Sequence, residues 1–293
     1  MACIGDHRVL LSVMRLVARW PSCCPPRRAP SRPVTYTNVG DVTPGEGPSL
    51  TLEESIAVGT AAIEAVGSRV PVLAGVGGPN ESSSADRMRR LEAAGVQGFL
   101  VVSPYFYPLG RTELIAYFRR LSGWTHLPLM FYNSTYTGTP LTPTIIEELA
   151  DAIPTFVALK EGNQAQASDV IRRMGGRIGV FSARDLHIHE LLAAGGAGAI
   201  AFTANIVPEL VIGIFDGVLK GRLAAARALQ DRLNPLVWEV VARSFPAGIK
   251  AAMTLRGLAG GPVRPPLSDF TPEECGRLAE ILAMLTDLEP VQI

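Results

Sequence analysis

The feature that most constrains the fold of this chain is a regular alternation of strand-like and helix-like segments from residue 70 onward. Short apolar runs rich in β-branched residues recur every ~20–30 residues, and each precedes a turn and a helix-period pattern. These runs are residues 70–76, 98–103, 127–132, 155–160, 178–182 and 198–202. Strands that alternate with helices form βαβ units, so the pattern predicts an α/β fold with a parallel sheet.

The number of these units predicts the size of the sheet. Helix-period segments lie between the runs, at residues 82–94, 112–122, 142–152, 164–174 and 186–194. A weaker second strand is expected at 34–42 with its helix at 51–66, and the first strand would come from 4–17, where the pattern is poor. Eight βα units in about 200–250 residues are the size of a (β/α)8 TIM barrel. We predict that barrel over residues 41–205, preceded by an atypical N-terminal segment, residues 1–40.

The last third of the chain has a different pattern. After residue 203 the periodicity is helical throughout, with segments at 208–220, 223–241, 247–258 and 272–285. An antiparallel helical region packed on the barrel is the simplest interpretation, and it takes residues 206–293. No linker separates two independent domains, so we assign the 293 residues to one barrel and its C-terminal helices.

Composition excludes several classes of protein. Hydrophobic residues make up 47% and charged residues 18%, which is enough apolar material for a large core and excludes a disordered chain. Lys+Arg 27 against Asp+Glu 27 gives no net charge, which argues against a nucleic-acid partner. No apolar run approaches the ~18–20 residues of a membrane span. Four cysteines without a C-x-x-C pair are typical of reduced thiols, so we predict a cytoplasmic protein without membrane contact.

The first 35 residues differ in charge from the remainder of the chain. They carry six arginines against a single acid, Asp6, and several prolines follow a short apolar stretch. An Arg-rich, acid-poor start is typical of an organellar transit peptide. A segment whose reading frame differs from that of the rest of the gene would also have this character. Both interpretations stay open at this point.

Lys160 is the strongest candidate for a catalytic residue. Catalytic side chains of a barrel stand at the C-terminal ends of its strands, and Lys160 closes an apolar run. A buried lysine is unfavourable unless it is paired or deprotonated, and burial lowers the pKa of its amine. A neutral amine attacks carbonyl carbons, which would make Lys160 a nucleophile. The alternative is a lysine that reaches solvent and pairs with Glu161.

Two further candidates accompany the lysine. Tyr132 ends the preceding strand-like run, and a phenol in the same space can carry protons to and from the reacting oxygen. The alternative is a core tyrosine whose hydroxyl reaches water. The turn-rich stretch 43–50 leads into a Thr51…Glu54 capping box, and a helix start of this kind suits a carboxylate.

Two other patterns carry less weight. The glycine turn at 75–80 lies between a strand and a helix, but it lacks the third glycine of a dinucleotide fingerprint, and Pro79 removes a donor. His187 and His189 are two residues apart, which places them on different faces of a helix, and no third ligand is obvious. We therefore predict neither a nucleotide site nor a metal site.

The strand ends together resemble the dihydrodipicolinate synthase and N-acetylneuraminate lyase family of pyruvate-dependent class I aldolases. The resemblance extends from about residue 41 to about residue 290, with its motifs in order throughout. The matching motifs are Gly45-Glu46 with Leu50-Thr51 and Glu54, Pro104-Tyr105-Phe106, Tyr132-Asn133 with Thr137-Gly138, Lys160-Glu161, Gly198-Ala199-Ile200, Thr203-Ala204-Asn205, and Lys250-Ala251-Ala252 with Arg264-Pro265-Pro266.

The resemblance implies a fold, a chemistry and a set of site residues. The fold is a (β/α)8 barrel with a C-terminal helical region, usually assembled as a homotetramer or a homodimer. Lys160 would form an imine with pyruvate or another 2-keto acid, Tyr132 would carry the proton, and the lysine would serve as the electron sink without any cofactor. The remaining residues that the resemblance places at the substrate are Thr43, Gly45, Tyr105, Phe106, Tyr107, Thr137 and Ile200.

Three departures from the family's motifs bear on the substrate. Pro44 stands where the family loop usually has a hydroxyl residue, and Phe106 stands where the synthase usually has a second tyrosine, with Tyr107 beside it as a substitute. Residues 134–137 lack the arginine that the synthase uses for the carboxylate of its aldehyde. The missing arginine favours a lyase or aldolase for 2-keto-3-deoxy sugar acids. The alternatives are a 4-hydroxy-tetrahydrodipicolinate synthase of lysine biosynthesis and a catalytically impaired member that acts as a binding protein.

Overall fold

The computed structural model of the protein describes residues 16–18, 37–40, 45–67, 69–134, 138–243 and 245–285. Within them the chain forms eight strands and ten α-helices. The strands are β1 (Leu16–Ala18), β2 (Thr37–Gly40), β3 (Val72–Gly77), β4 (Gly98–Val102), β5 (Leu129–Asn133), β6 (Phe156–Glu161), β7 (Gly179–Ser182) and β8 (Gly198–Ile200). The helices are α1 (Leu52–Val66), α2 (Glu81–Ala94), α3 (Arg111–Ser122), α4 (Pro143–Ala152), α5 (Gln164–Met174), α6 (Ile188–Ala193), α7 (Pro208–Leu219), α8 (Leu223–Val241), α9 (Phe245–Leu255) and α10 (Pro272–Ala283).

The strands form one sheet, in the order β1-β8-β7-β6-β5-β4-β3-β2. Every pair from β2 to β8 is parallel, and a helix follows each strand from β3 to β8 in sequence. All six strand-like runs recognised in the sequence fold as β3 to β8, which confirms the α/β prediction. The order of the strands follows the order of the chain because each crossover helix returns the chain to the adjacent position.

The inner face of the sheet has a core of its own, to which only strand residues belong. It contains side chains from six consecutive strands, β3 to β8. In a flat sheet these side chains would be spread over one open surface and would not form a single cluster. The members are Leu73, Leu100, Val102, Met130, Tyr132, Val157, Ala158, Phe181 and Ile200. The sheet therefore curls around these residues in the manner of a barrel wall. In the described residues no ladder joins β1 to β2, so the closed (β/α)8 barrel stays a prediction.

The first strand departs from the predicted barrel. Leu16–Ala18 runs antiparallel to β8, with Leu16 opposite Ile200, whereas a (β/α)8 barrel is parallel throughout. The free edge of β8 would otherwise leave N–H and C=O groups unpaired. A three-residue apolar segment can satisfy them in either direction, and an antiparallel pair needs no crossover helix. Of the N-terminal strand expected at 4–17, Leu16 and Val17 belong to this ladder, and the rest of that stretch lies outside the described residues.

Local signals in the sequence set the helix boundaries. The Thr51–Glu54 capping box at the start of α1 is present in both directions, with hydrogen bonds of 2.9 and 3.2 Å. The glycine turn before α2 ends in Asn80, whose side chain caps the helix by accepting from Ser83 N. That turn therefore leads directly into a capped helix, and the absence of a nucleotide site there stays a prediction.

The C-terminal helices share a core with the last βα units. Residues of α6, β8 and α7 pack with residues of α8, α9 and α10 in one cluster. The four predicted C-terminal helices are confirmed within a few residues at each end. This shared core fixes α8 and α9 beside the carboxyl end of the sheet, where they contribute to the site described next.

Among the helices of the described residues, none combines the length and the apolar character that a lipid bilayer requires of a spanning segment.

Candidate active site

A cavity of about 640 Å³ opens at the carboxyl ends of β5 to β8. Strand ends supply its floor, the loops after β6 and β7 supply one side, and α8 with the start of α9 supplies the other. Its lining is Tyr132, Lys160, Gly162, Asn163, Gln164, Ala165, Ala183, Arg184, Asp185, Leu186, His187, Ile200, Phe202, Val237, Trp238, Val241 and Phe245. Catalytic groups of parallel α/β folds are found at this edge of the sheet.

Lys160 points into this cavity from the inner face of β6. It lies in register with Tyr132 on β5 and with Phe181 on β7, and only 3% of the residue is exposed. Burial among these side chains lowers the pKa of the amine to about 7, against a smaller opposing effect of the Asp185 carboxylate. A lowered pKa increases the share of Lys160 side chains that are uncharged at neutral pH, and the uncharged amine is the form that attacks a carbonyl.

Tyr132 is the immediate neighbour of the Lys160 amine. Nζ of Lys160 lies 4.1 Å from the centroid of the Tyr132 ring. The contact arises because the two residues face each other across the β5–β6 ladder and point to the same side of the sheet. The structure thus brings together the lysine and the tyrosine that the sequence singled out.

Glu161 has partners other than Lys160. Successive residues of a strand point to opposite faces, so the carboxylate of Glu161 lies behind the sheet wall and not in the cavity. It accepts hydrogen bonds from Asn133 Nδ2 at 2.9 Å, from Gln166 Nε2 at 2.9 Å and from Asn163 N at 2.6 Å. Because Lys160 is buried and Glu161 is engaged elsewhere, the alternative of a solvent-reaching Lys160–Glu161 pair is wrong.

Asn133 holds the loop that follows Tyr132. Its side chain donates to Leu141 O at 3.0 Å and accepts from Leu141 N at 2.9 Å, which closes the loop 134–141 at its base. The same amide contacts Glu161, as above. Of the two adjacent residues, Tyr132 therefore faces the cavity and Asn133 fixes the neighbouring loop.

Asp185 is a residue of the site that the sequence did not single out. It follows β7 and accepts hydrogen bonds from Phe202 N at 3.3 Å, from Thr203 N at 2.9 Å and from the Thr203 hydroxyl. Burial raises the pKa of its carboxyl to about 6, while these hydrogen bonds act in the opposite direction. An acid in the short loop after β7, at the same edge of the sheet as Lys160, was the available signal. Asp185 ties the β7 and β8 ends together beside the amine.

The remaining predicted residues lie in different places. Ile200 lines the cavity from β8. Gly45 is buried but is not among the described residues of the lining, and neither are Tyr105, Phe106 and Tyr107.

Those three aromatic residues follow β4 and are 44%, 74% and 65% exposed. Thr43 and Thr137 lie outside the described residues, as does Pro44. The substrate contacts expected of Gly45, of these aromatic residues and of the two threonines stay predictions.

A buried ion pair explains the motifs around Glu46 and Lys250. Lys250 Nζ donates to a carboxylate oxygen of Glu46 and to Pro262 O at 2.6 Å. Arg264 N donates to the other Glu46 oxygen at 2.9 Å, and the Arg264 guanidinium pairs with Glu54 at 2.8 Å. Glu46, whose φ is 54°, is thereby held in a left-handed turn. The network anchors the loop after β2 to the C-terminal helices.

Comparison with known proteins identifies the family. A sequence profile of the group described as the Dihydrodipicolinate synthetase family matches residues 39–285. This chain belongs to that family. The resemblance read from the strand ends is confirmed, and with it the assignment as an enzyme, since members of the dihydrodipicolinate synthetase family are pyruvate-dependent lyases and aldolases.

Individual relatives are similar to this chain over most of the length of both proteins. A 4-hydroxy-tetrahydrodipicolinate synthase of Methanosphaerula palustris is 35% identical over 243 residues, covering 82% of this chain and 83% of its own. One of Methanoculleus marisnigri is 36% identical over 242 residues, covering 81% and 82%. YagE of E. coli K12, a prophage protein of the same family crystallised with pyruvate, superimposes with a TM-score of 0.81 at 28% identity, covering 86% and 87%.

Proposed function

We propose that this protein is a Schiff-base enzyme that activates pyruvate on Lys160. The observation that carries the proposal is a buried lysine with a pKa of about 7, in a cavity at the carboxyl edge of the sheet and against the ring of Tyr132. A desolvated lysine in such a place is suited to imine formation and unsuited to a structural ion pair.

The chemistry follows from the amine. The Lys160 nitrogen adds to C2 of the keto acid, the carbonyl oxygen leaves as water after proton transfers, and an iminium then links Nζ to C2. Loss of a proton from C3 gives an enamine, whose carbon forms a bond to the carbonyl carbon of an aldehyde. Water hydrolyses the imine and returns the lysine. The reverse sequence breaks the same carbon–carbon bond, and Tyr132 is the phenol placed to carry the protons.

For the second substrate we propose the condensation of a 4-hydroxy-tetrahydrodipicolinate synthase. Support comes from relatives of that name, which are 35–36% identical over about four fifths of both chains. Cleavage of a 2-keto-3-deoxy sugar acid is the second candidate, and the absence of an arginine in residues 134–137 favours it. A closed eight-stranded barrel, a homotetramer or homodimer and a cytoplasmic location belong to the same proposal, through the family resemblance.

Trapping with borohydride tests the imine. The chain has only three lysines, Lys160, Lys220 and Lys250, so a reduced pyruvate adduct can be assigned to one peptide by mass spectrometry. We expect the adduct on Lys160, its loss in Lys160→Met, and its retention in Lys220→Met, which removes an exposed lysine paired with Asp216 at 2.7 Å. Folded wild-type protein without an adduct on Lys160 would contradict the proposal.

A pair of activity assays separates the substrate candidates. We expect condensation of pyruvate with aspartate semialdehyde to proceed faster than cleavage of 2-keto-3-deoxygluconate. The opposite ranking would favour the sugar-acid candidate. An adduct on Lys160 with no turnover in either assay would favour the impaired, ligand-binding member of the family.

A further inference from the structure

Gln230 is a fully buried amide on α8, the helix that supplies one side of the cavity. The other buried residues of this helix are all apolar: Ala226, Leu233, Leu236, Val237 and Val240. Burying an amide in such a place is unfavourable unless its donors and its acceptor have partners. The position of Gln230 therefore depends on the groups that it binds.

Both ends of the Gln230 amide have partners at hydrogen-bond distance. Nε2 donates to Asp185 O and to Asn234 Oδ1, each at 2.8 Å. Oε1 accepts from His189 N at 3.1 Å. Because the backbone N–H of His189 can only donate, the carbonyl of Gln230 must face it, and the NH2 group must face Asp185. Gln230 thus joins α8 to α6 and to the loop between β7 and α6.

Asp185 is consequently held at two points. Its main-chain oxygen is bound by Gln230, and its carboxylate accepts from Phe202 N, Thr203 N and the Thr203 hydroxyl. The first contact comes from the C-terminal helices and the second from the segment after β8. With both contacts in place, Asp185 stays at the wall of the cavity that Lys160 enters. Loss of the Gln230 contact would leave the main-chain oxygen without this partner and release the loop from α8.

Asp185 is the acid of the described cavity lining, and it acts on the Lys160 amine. It opposes the effect of burial and so raises the pKa of Lys160. The other ionisable side chains of the described lining are Tyr132 from β5, and Arg184 and His187 from the loop after β7. The segments after β6 and β8 and helices α8 and α9 add only uncharged side chains to it. The position of Asp185 therefore bears on how readily Lys160 loses its proton.

We propose that Gln230 is a positioning residue of the Lys160 site, which holds Asp185 at the cavity wall from α8. The inference rests on the proposed imine chemistry and adds to that site a residue outside the described lining of the cavity. It also gives the C-terminal helices a part in the chemistry, because the contact that places Asp185 comes from one of them. A purely structural Gln230 would affect the stability of the fold and leave the titration of Lys160 unchanged.

Borohydride trapping of pyruvate on the full-length protein, across a series of pH values, tests the inference. Gln230→Met keeps the length of the side chain and removes the amide. When Asp185 is released, the amine loses part of the effect of the carboxylate, so its pKa falls and the uncharged form persists at lower pH. We expect the midpoint of adduct formation on Lys160 to lie about 0.3–1 pH unit below that of the wild type. Gln230→Asn, whose side chain is one methylene shorter, should move the midpoint in the same direction.

Two comparisons separate positioning from stability. Val240→Ala removes part of a buried side chain of α8 outside the described lining, so it should lower the free energy of unfolding without moving the midpoint. In the Asp185→Asn background, Gln230→Met should produce no further shift, because Gln230 acts through the carboxylate. Circular dichroism establishes that each variant is folded.

The position of the midpoint decides the question. An unchanged midpoint in Gln230→Met, a shift to higher pH or an equal shift in Val240→Ala would overturn the inference. A shift that persists in the Asp185→Asn background would do the same, because Gln230 would then act by another route. If Gln230→Met does not fold, Gln230→Asn is judged by the same criteria. A wild type that forms no adduct would remove the proposed function itself, whereas a wild-type adduct with no effect of Gln230 would remove only this inference.

Discussion

Replacing Lys160 by methionine should stabilise the fold at neutral pH, although it removes the nucleophile. Methionine has nearly the same length and is compatible with the apolar surroundings on the inner face of the sheet. The wild-type protein instead holds an amine whose pKa is about 7 when folded and 10.5 when unfolded. Below pH 7 the folded protein bears the full cost of burying the ammonium, and that cost disappears as the pH rises through 10.5.

The pKa difference sets the size of the effect. Between pH 7 and 10.5 the unfolded chain binds more protons at this lysine than the folded protein does, so wild-type stability rises with pH. The difference between a pKa of about 7 in the folded protein and 10.5 in the unfolded chain lowers the free energy of unfolding by about 4 kcal/mol at pH 7 and by less than about 1 kcal/mol at pH 10. The Lys160→Met protein has no amine at this position and does not lose this free energy. Its advantage over the wild type should therefore be several kcal/mol at pH 7 and small at pH 10.

Urea denaturation followed by circular dichroism measures the free energy of unfolding at both pH values. Comparing the two proteins at each pH cancels the titration of the shared groups that do not interact with Lys160. Lys220→Met, which removes an exposed lysine, serves as the control and should show no such dependence. A Lys160→Met protein that is no more stable than the wild type at pH 7 would refute the reasoning. If Lys160→Met were more stable than the wild type by the same amount at pH 10, the gain would come from packing and not from removal of the buried charge.

Three further predictions concern the neighbours of the site. Asp185→Asn removes a carboxylate that raises the pKa of Lys160, so the pH profile of adduct formation should shift to lower pH in trapping experiments. Lys250→Met leaves Glu46 buried without its cation and should lower the free energy of unfolding by about 3–5 kcal/mol; an unchanged urea midpoint would contradict this. Asn133→Ala removes both hydrogen bonds to Leu141 and should lower the free energy of unfolding by about 1–3 kcal/mol. The same variant should be cleaved faster by proteases between residues 134 and 141, and Thr142→Ser serves as a conservative control.

Local patterns in the sequence were sufficient for the elements and for the central pair of the site. Strands β3 to β8 and the C-terminal helices were predictable because hydrophobic periodicity reports which face of an element is buried. Lys160 and Tyr132 were predictable because each polar residue ends a buried run, and parallel strands end at one edge. The capping box at Thr51 is likewise a short-range signal.

Contacts between distant segments were decided only by the tertiary structure. The antiparallel direction of β1, the Glu46–Lys250 pair and the wall that α8 and α9 add to the cavity all depend on how elements pack, which periodicity does not encode. The pKa of Lys160 depends in the same way on what surrounds the amine and not on its neighbours in sequence.

Arg184 shows the difference most directly. In the sequence it is an ordinary polar residue after a strand, and the loop after Tyr132 lacks the arginine that the family resemblance leads one to expect. In the structure Arg184 lines the same cavity as Lys160. The chain order determined which residues stand at the strand ends. The curl of the sheet decided which of those ends share a cavity, because curvature brings together side chains that are far apart along the chain.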